Sequence, residues 1–266
     1  MMISRRVFVL GAAALAFAPG EAAAHASRPV TLSYGPARLD VYAPQNANGL
    51  PVVFFIHGGG WKNGTRSYVQ SKPEFFLNKG YVFVSIDYRM LPEAEVAVQA
   101  QDVEAAFAYV RANIGEYGGD PNRIAVMGHS AGCHLAALTG LRGGLPGAAA
   151  LVLNDVENYD LEAIMRAGKK PRLYGEAFPD PAQWHVLSPT TYISSGKHPP
   201  IMIAYSKVRG HQKAATTFAR KLKAAGASVS LYDGSAYSHF AINRGFGAEE
   251  GGMTGATMAF LKGALG

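Results

Sequence analysis

The sequence of 266 residues contains a single cysteine, Cys133, so no disulfide can form within the chain. It has no CxxC pair and no zinc-ligand spacing, which excludes the common structural zinc sites. Charged residues make up 17% of the chain, and no run of Lys and Arg is longer than two. The formal net charge of +6 is therefore scattered, and without a basic stripe we expect no nucleic-acid partner.

Residues 1–26 resemble an export signal more than a part of a folded domain. A basic start is followed by an apolar stretch from Val7 to Ala18 and by small residues before Ser27. The run SRRVFV matches the twin-arginine pattern, an address that an export receptor recognises. The apolar stretch is shorter than the roughly 20 residues that span a bilayer. We therefore expect cleavage after Ala26, export by the twin-arginine machinery, no stable membrane anchor afterwards, and a periplasmic or secreted protein.

Residues 27–266 predict a single domain in which strands alternate with helices. Apolar runs are typical of buried parallel strands, and they occur at PVVFFI, YVFVSI, RIAVMG, ALVLN and PIMIAY; SVSLYD is predicted as a further strand. VTLSYGPARLDVY adds two shorter strands, and helical spacing occurs at 97–114, CHLAALTGL, QKAATTFARKLKAAG and TGATMAFLKGAL. This alternation predicts an α/β fold with a mostly parallel sheet of about eight strands and helices on both faces.

The least regular part of the chain is residues 155–198, which we expect to form a small lid insertion over the carboxyl edge of the sheet. Ligands of open α/β sheets bind at that edge. Several aromatic residues could form an apolar wall for a ligand or could pack into the core, and both alternatives stay open for Trp61, Tyr174, Phe178 and Trp184.

The pentapeptide GHSAG, residues 128–132, has the G-x-S-x-G pattern and lies between an apolar strand and a helix. A serine on such a sharp turn is held in a strained conformation with its hydroxyl exposed. This context predicts that Ser130 is a nucleophile. HGGGW, residues 57–61, follows an earlier strand, and glycines there let backbone N–H groups approach a developing oxyanion. Together the two motifs indicate acyl transfer.

With HGGGW, SIDYRMLPEA, GGDPNRIAVMGHSAGCHLA and YSHF, the chain resembles the α/β-hydrolases of the hormone-sensitive-lipase-like and arylformamidase-like esterase group. The resemblance runs from about Val52 to the C-terminus. It implies an α/β-hydrolase fold, Ser130 as the nucleophile, and an oxyanion hole formed by the N–H groups of Gly58, Gly59 and Ala131. It also implies that Tyr88, Arg89, Asp102 and Asp120 are structural.

The general base should be a late histidine, because hydrolases of this fold run Ser, then acid, then His along the chain. His239 follows the last predicted strand and lies in YSHF, where the family keeps its base. We therefore expect His239 to accept the proton of Ser130. His134 is interpreted as a packed or capping residue, and His211 lies in the loop after PIMIAY.

The acid is the point at which this sequence departs from its relatives. The loop after PIMIAY should carry an Asp or Glu, but its residues are Ser206, Lys207, Val208 and Arg209. Asp155, at the end of the strand beside the nucleophile strand, is the first replacement. Asp233, six residues before His239, is the second. The third alternative is a Ser–His dyad or a decayed site without an acid, and all three stay open here.

The sequence thus predicts a secreted serine carboxylesterase for small or medium carboxylic esters, with catalytic Ser130, His239 and Asp155. No metal or organic cofactor is implied. The displaced acid suggests that activity is low. The alternatives are a pseudo-hydrolase that binds an acyl or aromatic ligand, and an amide hydrolase of the arylformamidase type.

Overall fold

The computed structural model describes residues 28–168, 172–194 and 198–266. The predicted signal at residues 1–26 lies outside these residues. The sheet has eight strands: β1 Val30–Ser33, β2 Arg38–Tyr42, β3 Leu50–Ile56, β4 Val82–Ile86, β5 Gly119–His129, β6 Ala150–Asn154, β7 Ile201–Ser206 and β8 Val229–Gly234. The helices are α1 Lys72–Asn78, α2 Val96–Asn113, α3 Ala131–Leu141, α4 Leu161–Arg166, α5 Arg172–Ala177, α6 His211–Ala224, α7 Ala241–Arg244 and α8 Gly252–Leu265.

The strands lie in the order β1-β2-β4-β3-β5-β6-β7-β8. β1 and β2 pair antiparallel with their neighbours, and the pairs from β4 through β8 are parallel. The prediction of a mostly parallel sheet of about eight strands is confirmed. Because parallel strands end at the same edge, the segments after β3, β5, β6, β7 and β8 meet there.

Helices cover both faces of the sheet because its strands are apolar on both sides. Phe54 and Ile56 of β3 pack into the core that α2, α3 and α6 cover. Val53 and Phe55, which alternate with them, pack into the core beneath α1 and α8. In the described part of the chain, no helix combines the length and the hydropathy needed to cross a membrane.

Four of the helices, α1, α4, α5 and α7, escaped prediction because they are short. α1 has seven residues, with a proline near its start, and α7 has four. Between β6 and β7, the described residues form α4, α5 and three short 3-10 helices at 158–160, 181–183 and 189–192. That this segment acts as a lid stays a prediction.

Candidate active site

Ser130 lies between the end of β5 and the start of α3, in a backbone conformation that side chains rarely adopt. Its φ is 56° and its ψ is −121°. The turn is tight because two glycines let the chain segments touch. A Cβ on Gly128 would lie 2.2 Å from the carbonyl oxygen of Gly132, and a Cβ on Gly132 would lie 2.2 Å from that of Ile56. The strained turn predicted from the motif is therefore present.

A chain of two hydrogen bonds connects a carboxylate to the Ser130 hydroxyl. Nε2 of His239 lies 2.9 Å from Oγ of Ser130. Nδ1 of His239 lies 2.6 Å from Oδ2 of Asp155. A carboxylate only accepts hydrogen bonds, so Nδ1 carries the proton and Nε2 is free to accept one from the serine. The structure thus brings together Ser130, His239 and Asp155, the three residues that the sequence singled out.

Asp155 follows β6 directly, and its side chain is fully buried. Its backbone φ of 63° is left-handed, a region that Asp tolerates better than most residues. Burial by itself raises the pKa of this carboxyl. Hydrogen bonds from His211, His239 and the backbone N–H of Ser206 outweigh it and hold the pKa well below its ordinary value. The group is therefore an anion at neutral pH.

Asp233, the second acid considered for the site, and the nearby Asp160 are engaged elsewhere. Asp233 lies near the end of β8, is exposed, and accepts a hydrogen bond from the N–H of Ser235, 2.9 Å away. Asp160 caps α4 and pairs with Lys221 at 3.0 Å. Lys207 and Arg209, the cations that replace the expected acid, are exposed. Asp155 therefore has the geometry that the missing loop acid would have had.

The glycine loop after β3 lies against the serine. A Cβ on Gly58 would come within 2.9 Å of the Cβ of Ser130, and Gly59 has a φ of 134°, which favours glycine. Among the described residues, no protein group accepts a hydrogen bond from the N–H of Gly58 or Gly59. Ala131 is the first residue of α3, so its N–H has no partner within the helix. These three N–H groups are thus available to an oxyanion.

His129, the variable residue inside GHSAG, holds the segment that carries the base. Its Nε2 lies 2.8 Å from the backbone carbonyl oxygen of His239 and donates a hydrogen bond to it. Burial lowers the pKa of His129 to about 3, so the ring is neutral at the pH of the cell. Sequence reasoning missed this role, because the pattern leaves that position unspecified.

The site opens into a cavity of about 870 Å³. Of the four aromatic residues considered for an apolar wall, Trp61 and Tyr174 line this cavity, whereas Phe178 and Trp184 do not. Trp61 is 2% exposed, and its ring packs edge-on against His134 of α3, Tyr174 of α5 and Phe178. Phe178 is a core residue, and its carbonyl accepts a hydrogen bond from the indole of Trp184.

A buried amine lies close to the cavity wall. Lys72 is fully buried, and its Nζ donates to the carbonyl of Asn243 at 2.9 Å and to Oε1 of Gln70 at 3.3 Å. Gln70 and Asn243 line the cavity. Burial lowers the pKa of Lys72 from 10.5 to about 7. Sequence reasoning missed this group, because nothing in a short segment with one lysine indicates burial.

Among the residues that the structure describes, one cluster has ligand atoms close enough together for a metal ion: those of His129, Asp155 and His239 lie within 4.8 Å of one another. Each residue, however, already makes a hydrogen bond: His129 to the carbonyl of His239, and His239 to Asp155. These bonds account for the arrangement without a cation. The expectation that no metal or cofactor is needed stays a prediction.

Comparison with solved structures agrees with the geometry. Esterase 2 of Thermogutta terrifontis, in its form phosphonylated by sarin, is 25% identical, with a TM-score of 0.69 over 89% of this chain and 92% of that chain. The carboxylesterase EstE1, from a metagenomic library, is 24% identical with a TM-score of 0.73, over 91% of this chain and 92% of that one, and shows the shared fold. Fold and site thus define an α/β-hydrolase of the esterase group.

Within that group, residues 39–209 match the BD-FAE family, and the chain belongs to it. Shorter similarities reach a probable isoprenylcysteine alpha-carbonyl methylesterase of Arabidopsis thaliana, 39% identical over 38% of this chain and 22% of that protein. Esterase LipQ of Mycobacterium tuberculosis is 37% identical over 46% of this chain and 31% of that protein. The chain thus matches less than a third of the length of each of these two relatives, both of which carry esterase names.

Proposed function

We propose that the protein is a serine carboxylesterase that hydrolyses small or medium carboxylic esters through an acyl-enzyme on Ser130. One observation carries the proposal: the unbroken hydrogen-bond chain from Asp155 through His239 to Ser130, at the mouth of an open cavity. The esterase names of the relatives and structural neighbours support ester hydrolysis as the reaction type.

The distances are consistent with a two-step reaction. Oγ of Ser130 attacks the ester carbonyl while Nε2 of His239 accepts its proton, and Asp155 stabilises the imidazolium that forms. The tetrahedral oxyanion lies against the N–H groups of Gly58, Gly59 and Ala131, and each such donor is worth about 3–4 kcal/mol. The imidazolium then protonates the departing alcohol.

Deacylation repeats these steps with water as the nucleophile. His239 takes a proton from the water, the second tetrahedral intermediate collapses, and the proton returns to Oγ of Ser130 as the carboxylic acid leaves. Every step uses groups of this chain and water.

The pseudo-hydrolase alternative depended on the lack of an acid. The 2.6 Å separation between Asp155 and His239 supports the catalytic proposal instead. Because Asp155 makes the contact that the loop acid would make, we also propose ordinary rather than low turnover.

The test is a fluorophosphonate probe, which reacts covalently with activated serines. We expect Ser130 to be labelled in folded protein that starts at Ser27, and p-nitrophenyl acetate or butyrate to be hydrolysed. The Ser130→Ala variant should show neither. Folded wild-type protein that is not labelled and does not turn over any short ester would contradict the proposal.

We further propose export through the twin-arginine pathway, because of the layout of residues 1–26. Arg5→Lys/Arg6→Lys protein should remain in the cytoplasm of a bacterial host, whereas the wild type should appear in the periplasm or medium. Equal distribution of both proteins would contradict this.

A further inference from the structure

The carboxylate of Asp155 accepts three hydrogen bonds, and two of them come from residues without a part in the reaction above. Its Oδ1 accepts from the N–H of Ser206 at 2.6 Å and from Nδ1 of His211 at 2.8 Å. Its Oδ2 faces His239. His211 is the first residue of α6, is 8% exposed, and also lines the cavity.

We infer that His211 is a positioning residue, which fixes the acid of the site by donating from Nδ1 to Oδ1 of Asp155. This inference rests on the proposed function, because it assigns His211 a part in the same hydrogen-bond chain. Its consequence is a four-membered arrangement in which one carboxylate bridges two imidazoles.

The need for such a donor follows from the freedom of the side chain. The last torsion of an Asp side chain has a broad, roughly two-fold energy profile, so the carboxylate plane is easily rotated. A hydrogen bond from the N–H of Ser206 alone holds Oδ1 in place but leaves the carboxylate plane free to rotate. A second donor on the same oxygen fixes the plane, and the plane decides whether Oδ2 is aligned with Nδ1 of His239.

His211 also contacts the base directly. The rings of His211 and His239 pack edge to face, with centroids 5.6 Å apart and planes at 87°. His239 is thus held from three directions: by the carboxylate at Nδ1, by His129 at its backbone carbonyl, and by the face or edge of His211.

The location of His211 explains why the acid can lie on β6. The segment between β7 and α6 is where relatives carry the acid. Here Ser206 is the last residue of β7 and His211 is the first residue of α6, and both donate to the carboxylate of Asp155, which directly follows β6. The contact at Nδ1 of His239 is thus made by a carboxylate at the end of β6.

The decisive experiment compares His211→Asn with His211→Leu. The Nδ2 atom of asparagine is bonded to Cγ, as Nδ1 of histidine is, so Asn can keep the donor whereas Leu cannot. We expect kcat for p-nitrophenyl butyrate to fall about 10- to 100-fold in the Leu variant, the size expected for one lost hydrogen bond to a charged group. The Asn variant should recover to within about fivefold of wild type.

Rates are taken per active site, titrated with the fluorophosphonate, so that partial unfolding is not counted as lost catalysis. The matched control is His185→Leu, which removes an exposed histidine that also contacts a carboxylate, that of Glu162, 3.0 Å away. Its kcat should stay within about twofold of wild type.

A second measurement keeps the test independent of turnover. The proton between Nδ1 of His239 and Asp155 should give a low-field proton resonance in wild type and in His211→Asn, and it should be broadened or lost in His211→Leu. Equal kcat values and equal spectra for wild type and the Leu variant would overturn the inference. Failure of the proposed function has a different signature, because the wild type itself would then be unlabelled and inactive.

Discussion

Asp155→Asn is the substitution whose effect follows most directly from the geometry. Oδ1 of Asp155 accepts from two N–H groups, those of Ser206 and His211, so the oxygen of an asparagine would take that place. The amide NH₂ would then face Nδ1 of His239. Because NH₂ is a donor, Nδ1 would have to accept, and the ring proton would move to Nε2. Nε2 would then donate to Ser130 and could not take its proton.

A wrong tautomer of this kind costs about 10⁴ in kcat in serine proteases with the same arrangement of groups. Four factors of ten correspond to about 5 kcal/mol of lost transition-state stabilisation. Turning the amide around would not help, because the NH₂ would then oppose two donors and lose both hydrogen bonds. We therefore expect kcat/KM of Asp155→Asn to fall by at least 10³.

The assay is steady-state hydrolysis of p-nitrophenyl butyrate, with circular dichroism and thermal unfolding to verify that the variant is folded. Asp233→Asn is the control, because Asp233 is exposed and its partners, Ser235 and Tyr205, are not part of the proposed hydrogen-bond chain, and its rate should stay within about twofold of wild type. A folded Asp155→Asn protein that retains more than a tenth of wild-type activity would refute the assignment of Asp155 as the acid.

Two further predictions concern stability. Burial lowers the pKa of Lys72 from 10.5 to about 7, so between these pH values the unfolded chain holds a proton that the folded chain lacks, and stability falls as the pH falls from 10.5 to 7. The free energy of unfolding of Lys72→Met, measured in urea relative to that of wild type, should therefore be higher at pH 7 than at pH 10. A difference between the two proteins that does not change with pH would contradict this. Gly132→Ala should yield no folded protein, since its Cβ would meet the carbonyl of Ile56 at 2.2 Å. Gly263→Ala in α8 is the control: its Cβ would meet no atom within 4 Å, and the substitution should raise the free energy of unfolding by up to about 1 kcal/mol. A soluble, active Gly132→Ala enzyme would disprove the packing argument.

The parts of the fold that the sequence predicted are those with strong local signals. β3, β7 and the second half of β5 are continuous apolar runs with abrupt ends, and a run of that kind has few alternatives to a buried parallel strand. α1 and α7 have too few residues for a periodic pattern, so they are stabilised by contacts that no local pattern shows.

Among the site residues, too, those with a strong local sequence signal were predicted without alternatives, and those placed by long-range contacts were not. Ser130 lies in a motif whose local geometry is fixed by Gly128 and Gly132, and His239 follows a strand in a familiar tetrapeptide. Asp155 was only one of several candidates, because the position of its carboxylate depends on its left-handed backbone conformation and on the pairing of β6 with β7, and neither can be predicted from the local sequence. The contact between Asp155 and His211 joins residues 56 positions apart, and no spacing rule connects them.

The packing of Trp61 has a consequence for the kinetics of substrate access. Its ring is enclosed by side chains of α3, α5 and Phe178, so the segment between β6 and β7 is joined to the helix that begins at the nucleophile. Moving that segment away would expose one of the largest buried side chains of the described chain. We expect the part of it that contacts Trp61, at Tyr174 and Phe178, to behave as a fixed wall, with ligands exchanging through a permanent opening. Progress curves should then start without a lag, and kcat should be insensitive to solvent viscosity.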